Sequence, residues 1–207
     1  MPQNANSTHP SAIQTGQISG LILAGGRGSR MGTADKGLQN FRGEPMVQTV
    51  LQRLAPQVAQ VMINANQNLE RYAAFGLPVW PDEKTGFAGP LAGLHVGLSH
   101  CQTDYLLMVP CDSPFLPKDL AIRLATALQT ERAELAFAVT GQGDTLQSHP
   151  VFCLLKTALL PQLAAYLDSG ERKVEAWFKS VNSCAVGFDD EAAFANINTL
   201  DELQRLQ

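Results

Sequence analysis

The stretch Ile18-Ser19-Gly20-Leu21-Ile22-Leu23-Ala24-Gly25-Gly26-Arg27-Gly28-Ser29-Arg30-Met31-Gly32, with Lys36 just beyond it, decides the fold. Its first part, Ile18–Leu23, is a compact apolar run that ends in glycines, as a buried strand does when it feeds a ligand loop. Glycines after a strand let the backbone turn sharply and approach a ligand closely. Successive N–H groups in such a turn make an anion-binding nest. Arg27, Arg30 and Lys36 add the positive charge that a triphosphate needs. The competing reading is a glycine-rich turn with solvated basic residues. It suits the glycines alone and leaves the three cations beside a buried strand unexplained.

Two familiar phosphate loops do not match. The GxxxxGK[ST] spacing of a P-loop is absent. A dinucleotide fingerprint needs GxGxxG, but Gly26 and Gly28 are followed by Met31, with Gly32 one position late. The second strand ends in Asn64, where an acid would hold the ribose of NAD.

Outward from the loop, short apolar runs alternate with helical stretches, the pattern of an α/β sheet. Further strands are predicted at residues 58–64, 77–80, 105–109, 134–139, 150–155 and 184–188. Helices are predicted at 45–54, 68–75, 90–99, 117–128, 157–167 and 172–179. Thr199, with Glu202 three residues on, has the spacing of a capping box and opens a last helix. Residues 105–109 are continuously apolar, as a central parallel strand buried on both faces should be. The expected fold class is α/β, a mostly parallel central sheet flanked by helices.

Of the 207 residues, 45% are hydrophobic, enough for one substantial core and hence one domain over residues 18–207. Residues 1–17 are rich in Asn, Gln, Ser and Thr and lack the charged and apolar regions of a signal peptide. They read as a disordered tail. A formal net charge of −4 argues against a nucleic-acid groove, which usually needs a basic face. No apolar run approaches the roughly 20 residues of a membrane span. The four cysteines are scattered, with no zinc-ligand spacing, and read as reduced thiols of a cytoplasmic protein.

Polar residues at the ends of the predicted strands are the next candidates, because open parallel sheets bind ligands outside their strands' carboxyl ends. Asp112, in Pro110-Cys111-Asp112-Ser113-Pro114, follows the most apolar strand. A carboxylate there can hold Mg²⁺, which takes one or two carboxylates plus substrate phosphates; the bland alternative is a turn-capping aspartate. Asp82, in Trp80-Pro81-Asp82, is a second metal ligand, a ribose contact or a turn residue. The Asn64 amide can donate to and accept from a base edge, or simply end its strand. His149 opens a late strand in Ser148-His149-Pro150, and Cys111 reads as a buried filler.

Leu23-Ala24-Gly25-Gly26, Arg30-Met31-Gly32 and Asp35-Lys36 together resemble the signature of the molybdenum cofactor guanylyltransferases, the MobA proteins. These belong to the wider Rossmann-like nucleotidyltransferases. The likeness continues through Asn64-Ala65-Asn66, Asp82, Gly89-Pro90-Leu91-Ala92-Gly93 and Pro110-Cys111-Asp112. It runs on through His149-Pro150, Gly170-Glu171-Arg172 and Asn196-Ile197-Asn198-Thr199, and so covers nearly everything after the tail.

The resemblance implies a Rossmann-like nucleotidyltransferase fold, GTP and molybdopterin as substrates, and Mg²⁺ as cofactor. It implies that Leu23, Ala24 and Gly25 line the guanine nucleotide, with Lys36 on its phosphates. Asn64 and Asp82 would contact base and ribose, and Asp112 would bind both GTP and Mg²⁺. Catalysis would fall to Asp112, Lys36 and Arg30, and the pterin to His149, Asn196 and Asn198. Residues 18–115 would form a nucleotide part and 116–207 a pterin part, two separable ends of one pocket. Transient partners would be molybdenum-cofactor insertion proteins or target molybdoenzymes. Gly25 stands where cytidylyl relatives tend to carry alanine, which favours GTP over CTP. Leu200 departs from the usual proline after Asn-x-Asn-Thr, but Thr199 still supplies a helix cap. A molybdopterin cytidylyltransferase, a sugar-1-phosphate nucleotidyltransferase and a non-enzymatic nucleotide-binding adaptor of the same fold stay open at this point.

Overall fold

A computed structural model describes residues 12–26, 35–83 and 89–206. Its main sheet has seven strands in the order β5-β4-β1-β6-β8-β7-β9. β1 (Ile18–Leu23) lies between β4 (Gln60–Asn64) and β6 (Tyr105–Pro110), parallel to both, and β5 (Val79–Trp80) extends the parallel half beyond β4. β8 (Gln147–Lys156) runs antiparallel between β6 and β7 (Leu135–Thr140), and β9 (Ser183–Phe188) closes the edge parallel to β7. The expected α/β class, mostly parallel and flanked by helices, is the observed one. The expectation for β6 needs a correction: it is parallel to β1 but antiparallel to β8.

Its unbroken apolar sequence has the predicted cause all the same. Leu107 and Val109 point into one core and Leu106 and Met108 into the other. The first core is closed by Val47, Val50 and Leu54 of α1 (Met46–Leu54) and by Leu120, Leu124 and Leu128 of α4 (Leu120–Thr130). The second is closed by α3 (Pro90–His100), α5 (Leu160–Asp168) and α6 (Val174–Ser180), with Trp177 fully buried in it. A strand between two helix layers shows no period of two, because both of its faces are dry.

A short hairpin was not foreseen. β2 (Asn40–Phe41) and β3 (Glu44–Pro45) pair around Arg42 and Gly43, whose φ values of 53° and 93° are those of a tight two-residue hairpin turn. Pro45 therefore ends a strand, and α1 starts one residue later than expected. Phe41 and Met46 form a third small core with Ile197 and Leu203, which docks α7 (Leu200–Arg205) onto the hairpin. The tail also needs a correction. Ile13 is buried, its N–H donates to Gln129 Oε1 at 3.1 Å, and Thr15–Gln17 form a turn of 3-10 helix. Residues 12–17 are thus anchored by apolar burial, while residues 1–11 lie outside the described ones. No described helix is long and apolar enough to cross a membrane.

The segment after β6 is held in place from α1 and the 3-10 turn that follows it, Ala55–Gln57. Arg53 Nη1 donates to the carbonyls of Phe115 and Leu116 at 3.4 and 3.1 Å. Gln57 is buried, and its Nε2 donates to the carbonyls of Arg53 and Pro117, each at 2.9 Å. Its Oε1 accepts the Ala121 N–H at 2.9 Å. That bond caps α4, whose own N-cap Asp119 makes no side-chain cap bond. Gln57→Leu keeps the bulk but strands these buried groups. It should cost about 1–3 kcal/mol of stability, read as a lower midpoint in urea unfolding; an unchanged midpoint would show that the clamp does not carry the loop.

Candidate active site

Parallel pairing puts the candidate residues side by side. In register, Leu23 stands opposite Asn64 on one side and Pro110 on the other, and Asn64 opposite Trp80. The chain leaving each strand is then tied to its neighbour. Ala24 N–H donates to the Asn64 carbonyl at 2.7 Å, Ala65 N–H to Trp80 at 3.1 Å, and Cys111 N–H to Leu23 at 3.0 Å. Leu23, Ala24, Gly25, Asn64, Asp82 and Asp112 therefore gather at one edge, the carboxyl ends where open sheets bind ligands.

One cluster there is built of amides. Asn64 Nδ2 donates to the Trp80 carbonyl at 3.1 Å and to Asp82 Oδ1 at 2.9 Å. Asn66 Nδ2 donates to Asp82 Oδ2 at 2.8 Å and to the Gly25 carbonyl at 3.3 Å. Asn66 Oδ1 in turn accepts the Asp82 N–H at 2.8 Å. Both oxygens of Asp82 are thereby aimed. Asn66 belongs to this cluster, and strand-end reasoning missed it. The available signal was its spacing: two positions beyond Asn64, on the same side of an extended chain.

The second cluster surrounds a cation. Lys36 Nζ donates to Asp112 Oδ2 at 3.1 Å and to Asn198 Oδ1 at 2.6 Å. Both charged side chains are mostly buried, so losing one partner leaves the other charge poorly compensated. The segment carrying Asn196 and Asn198 is pinned beside Asp112. Ile197 N–H donates to the Asp112 carbonyl at 2.8 Å, and the buried Ser113 Oγ donates to Asn196 Oδ1 at 2.6 Å. The expected capping box then fixes Asn198 itself. Glu202 Oε2 accepts the N–H groups of Asn198 and Thr199 at 2.7 and 3.0 Å. Those bonds, the Asn198 one first, hold the Glu202 carboxyl below its ordinary range.

Asn198, which the resemblance assigns to the pterin, thus touches the lysine it assigns to GTP. Among the described residues, His149 takes no part in the hydrogen bonds of either cluster. Its Nε2 is 2.8 Å from Thr140 Oγ1 and its ring stacks on Phe194, two residues before Asn196. Burial lowers its pKa. The Cys111 thiol is pushed well up, by burial first and by Asp112 next, and stays neutral. Arg27, Gly28, Ser29, Arg30, Met31 and Gly32 lie outside the described residues.

Among the described residues, no group of three His, Cys, Asp or Glu side chains is placed to cage a metal ion. Magnesium does not need one: it keeps several waters and shares one or two carboxylates with substrate phosphates. A lone buried carboxylate at a strand end, Asp112, fits that kind of shared binding.

Residues 20–184 match the model of the MobA-like NTP transferase domain. The molybdenum cofactor guanylyltransferase of Bordetella petrii is 58% identical over 194 residues, which cover 94% of this chain and 99% of that protein. That of Ralstonia nicotianae is 56% identical over 199 residues, covering 94% and 98%. This chain belongs to the MobA family of molybdenum cofactor guanylyltransferases. Among solved structures, a molybdopterin-guanine dinucleotide biosynthesis protein A from Archaeoglobus fulgidus superposes with a TM-score of 0.75 at 21% identity. The superposition covers 91% of this chain and 96% of that one. At that identity the likeness is one of fold.

Within this MobA chain, Gly25 is also constrained by its own neighbours. A Cβ at Gly25 would come within 2.8 Å of Asn66 Nδ2 and 3.0 Å of Asn64 Oδ1. Those amides are committed to Asp82 and have little freedom to yield. Among the described residues, nothing lies within 4 Å of where a Gly26 Cβ would stand. Gly25→Ala should therefore weaken GTP binding about tenfold, the loss of one good hydrogen bond, and Gly26→Ala hardly at all. Equilibrium titration compares them; equal affinities would remove the asparagine pair as the reason for the glycine.

Proposed function

We infer that this chain transfers GMP from GTP to the terminal phosphate of molybdenum-molybdopterin, giving the guanine dinucleotide cofactor and pyrophosphate. The observation that carries the reading is the 56–58% identity, across almost the whole chain, to proteins named for that activity. A terminal phosphate oxygen of molybdopterin attacks the α-phosphorus of GTP. The bond from that phosphorus to the bridging oxygen breaks, and its electron pair leaves with pyrophosphate. A phosphate monoester has its second pKa at about 6, so the nucleophile is largely a dianion at neutral pH and needs no general base. The difficulty is to bring two polyanions together, which makes positioning and charge neutralisation the catalytic task.

Asn64 and Asp82, braced by Asn66, hold the base and ribose end of GTP. Lys36 binds its phosphates and neutralises the charge that the departing pyrophosphate gains, with Arg30 as a second cation. Asn196 and Asn198 hold the pterin, and His149 acts on that side through Phe194. Asp112 would hold Mg²⁺, which when bound withdraws charge from the phosphate oxygens. The four free cysteines suit a reducing compartment, and we place the reaction in the cytoplasm. Molybdenum-cofactor insertion proteins or target molybdoenzymes would collect the product by transient contact.

Pyrophosphate release with molybdopterin and each nucleoside triphosphate tests the reading: GTP should support it, and equal or better release with CTP would contradict it. Asp112→Ala should lower turnover by on the order of a hundredfold or more, as removal of one preorganised electrostatic partner does. Wild-type turnover of that variant across a magnesium titration would remove Asp112 from metal binding.

A further inference from the structure

α2 (Leu69–Ala73) sits in the chain between Asn66 and Asp82, yet it reaches the cation cluster. Tyr72 is fully buried, and its hydroxyl donates to Asp35 Oδ1 at 2.5 Å. Asn68, just before the helix, donates from Nδ2 to Asp35 Oδ2 at 3.0 Å. Both carboxylate oxygens are thus gripped from one short element. The Asp35 carbonyl is gripped as well, by Leu38 N–H at 3.2 Å and Gln39 Nε2 at 3.0 Å.

Asp35 immediately precedes Lys36. On the far side of the lysine, Gly37 lies against the same tyrosine. A Cβ on Gly37 would come within 2.5 Å of Tyr72 Oη and 3.2 Å of Cys111 Sγ. The Lys36 backbone is therefore set between a fixed carboxylate and a wedged glycine. This matters because a lysine is a point charge on a flexible four-carbon stem. Its ammonium is only as well placed as its backbone, and a shift of about 1 Å in a reacting group can cost a hundredfold in rate. Burial first, then Cys111 and Asp35, push the Tyr72 hydroxyl above its ordinary range, so it stays protonated and able to donate.

A buried tyrosine hydroxyl needs some partner in any fold. A purely structural role would be met by a backbone carbonyl. Here the partner is a carboxylate, shared with Asn68, directly before the lysine that joins Asp112 to Asn198. We propose that Tyr72 and Asn68 are positioning residues for Lys36. By fixing Asp35 they aim the lysine at the triphosphate of a guanine nucleotide. The chain from Asn66 to Asp82 then couples the two halves of the nucleotide site: its ends hold the base side and its middle holds the phosphate side. The inference rests on the reading that Lys36 binds the phosphates of GTP.

Titration of GTP and of guanosine into the full chain tests it, with Lys36→Met, Tyr72→Phe, Asn68→Gly and Tyr72→Phe/Lys36→Met. Asn68→Gly removes the amide but keeps the backbone, because Asn68 has a φ of 52° that glycine adopts freely. Each single variant should weaken GTP binding, Tyr72→Phe by about tenfold, the loss of a hydrogen bond to a charged group. Guanosine binding should hold within about twofold, and the double variant should bind GTP no more weakly than Lys36→Met alone. If Lys36→Met leaves GTP binding intact, the phosphate assignment falls and the inference falls with it. If Lys36→Met weakens GTP but Tyr72→Phe and Asn68→Gly do not, or if they weaken guanosine equally, the brace alone is overturned. Should Tyr72→Phe not fold, Asn68→Gly decides by the same comparison.

Discussion

One ammonium group organises this site. Lys36 Nζ lies between a carboxylate from the end of β6 and an amide that precedes the last helix, 162 positions away in the chain. Without that cation, Asp112 would be a mostly buried charge with no opposite charge beside it among the described residues. Asn198 would lose its shortest side-chain hydrogen bond. Much of the nearby structure reads as a means of delivering these three groups. The Phe41 hairpin docks α7, and Glu202 fixes the backbone of Asn198. Arg53 and Gln57 hold the segment after Asp112, and Tyr72 and Asn68 hold the residue before the lysine.

The parallel half of the sheet sets the floor for this arrangement. β4, β1 and β6 end in register, so Asn64, Leu23 and Pro110 come to one edge as a consequence of pairing. The antiparallel β8 then carries the chain back, and the segment from Phe194 to Asn198 returns to the same edge from the other half of the fold. A site assembled in this way has one cluster around Lys36 and another around Asp82, each held by asparagine amides.

Much of this could be read from the sequence, for identifiable reasons. Ile18–Leu23 and the run ending at Val109 were legible because strands covered on both faces are unbroken apolar segments. Asp112 was legible because a carboxylate directly beyond such a strand has a limited set of roles. The direction of β8 was not, since an apolar run looks the same parallel or antiparallel. The hairpin was missed because Arg42 takes a positive φ that usually marks glycine or asparagine. Asn66 appeared only within the Asn64-Ala65-Asn66 motif, and Tyr72 only within the helix predicted at 68–75. Their significance lies in their partners, Asp82 and Asp35, which no local pattern pairs with them. The contact between Lys36 and Asn198 is the extreme case. Motif reading placed the two residues at opposite ends of one pocket, and the fold brings them into contact.

The shared role of Lys36 is tested most directly from the side that does not carry the nucleotide. Molybdopterin is titrated, with no nucleotide present, into the wild-type chain and into Lys36→Met, with thermal midpoints recorded for both. Loss of the ammonium frees the Asn198 side chain, so pterin affinity should fall by about tenfold, the worth of one charge-assisted hydrogen bond. Unchanged pterin affinity in a folded Lys36→Met variant would contradict the account and leave the two ends of the pocket independent.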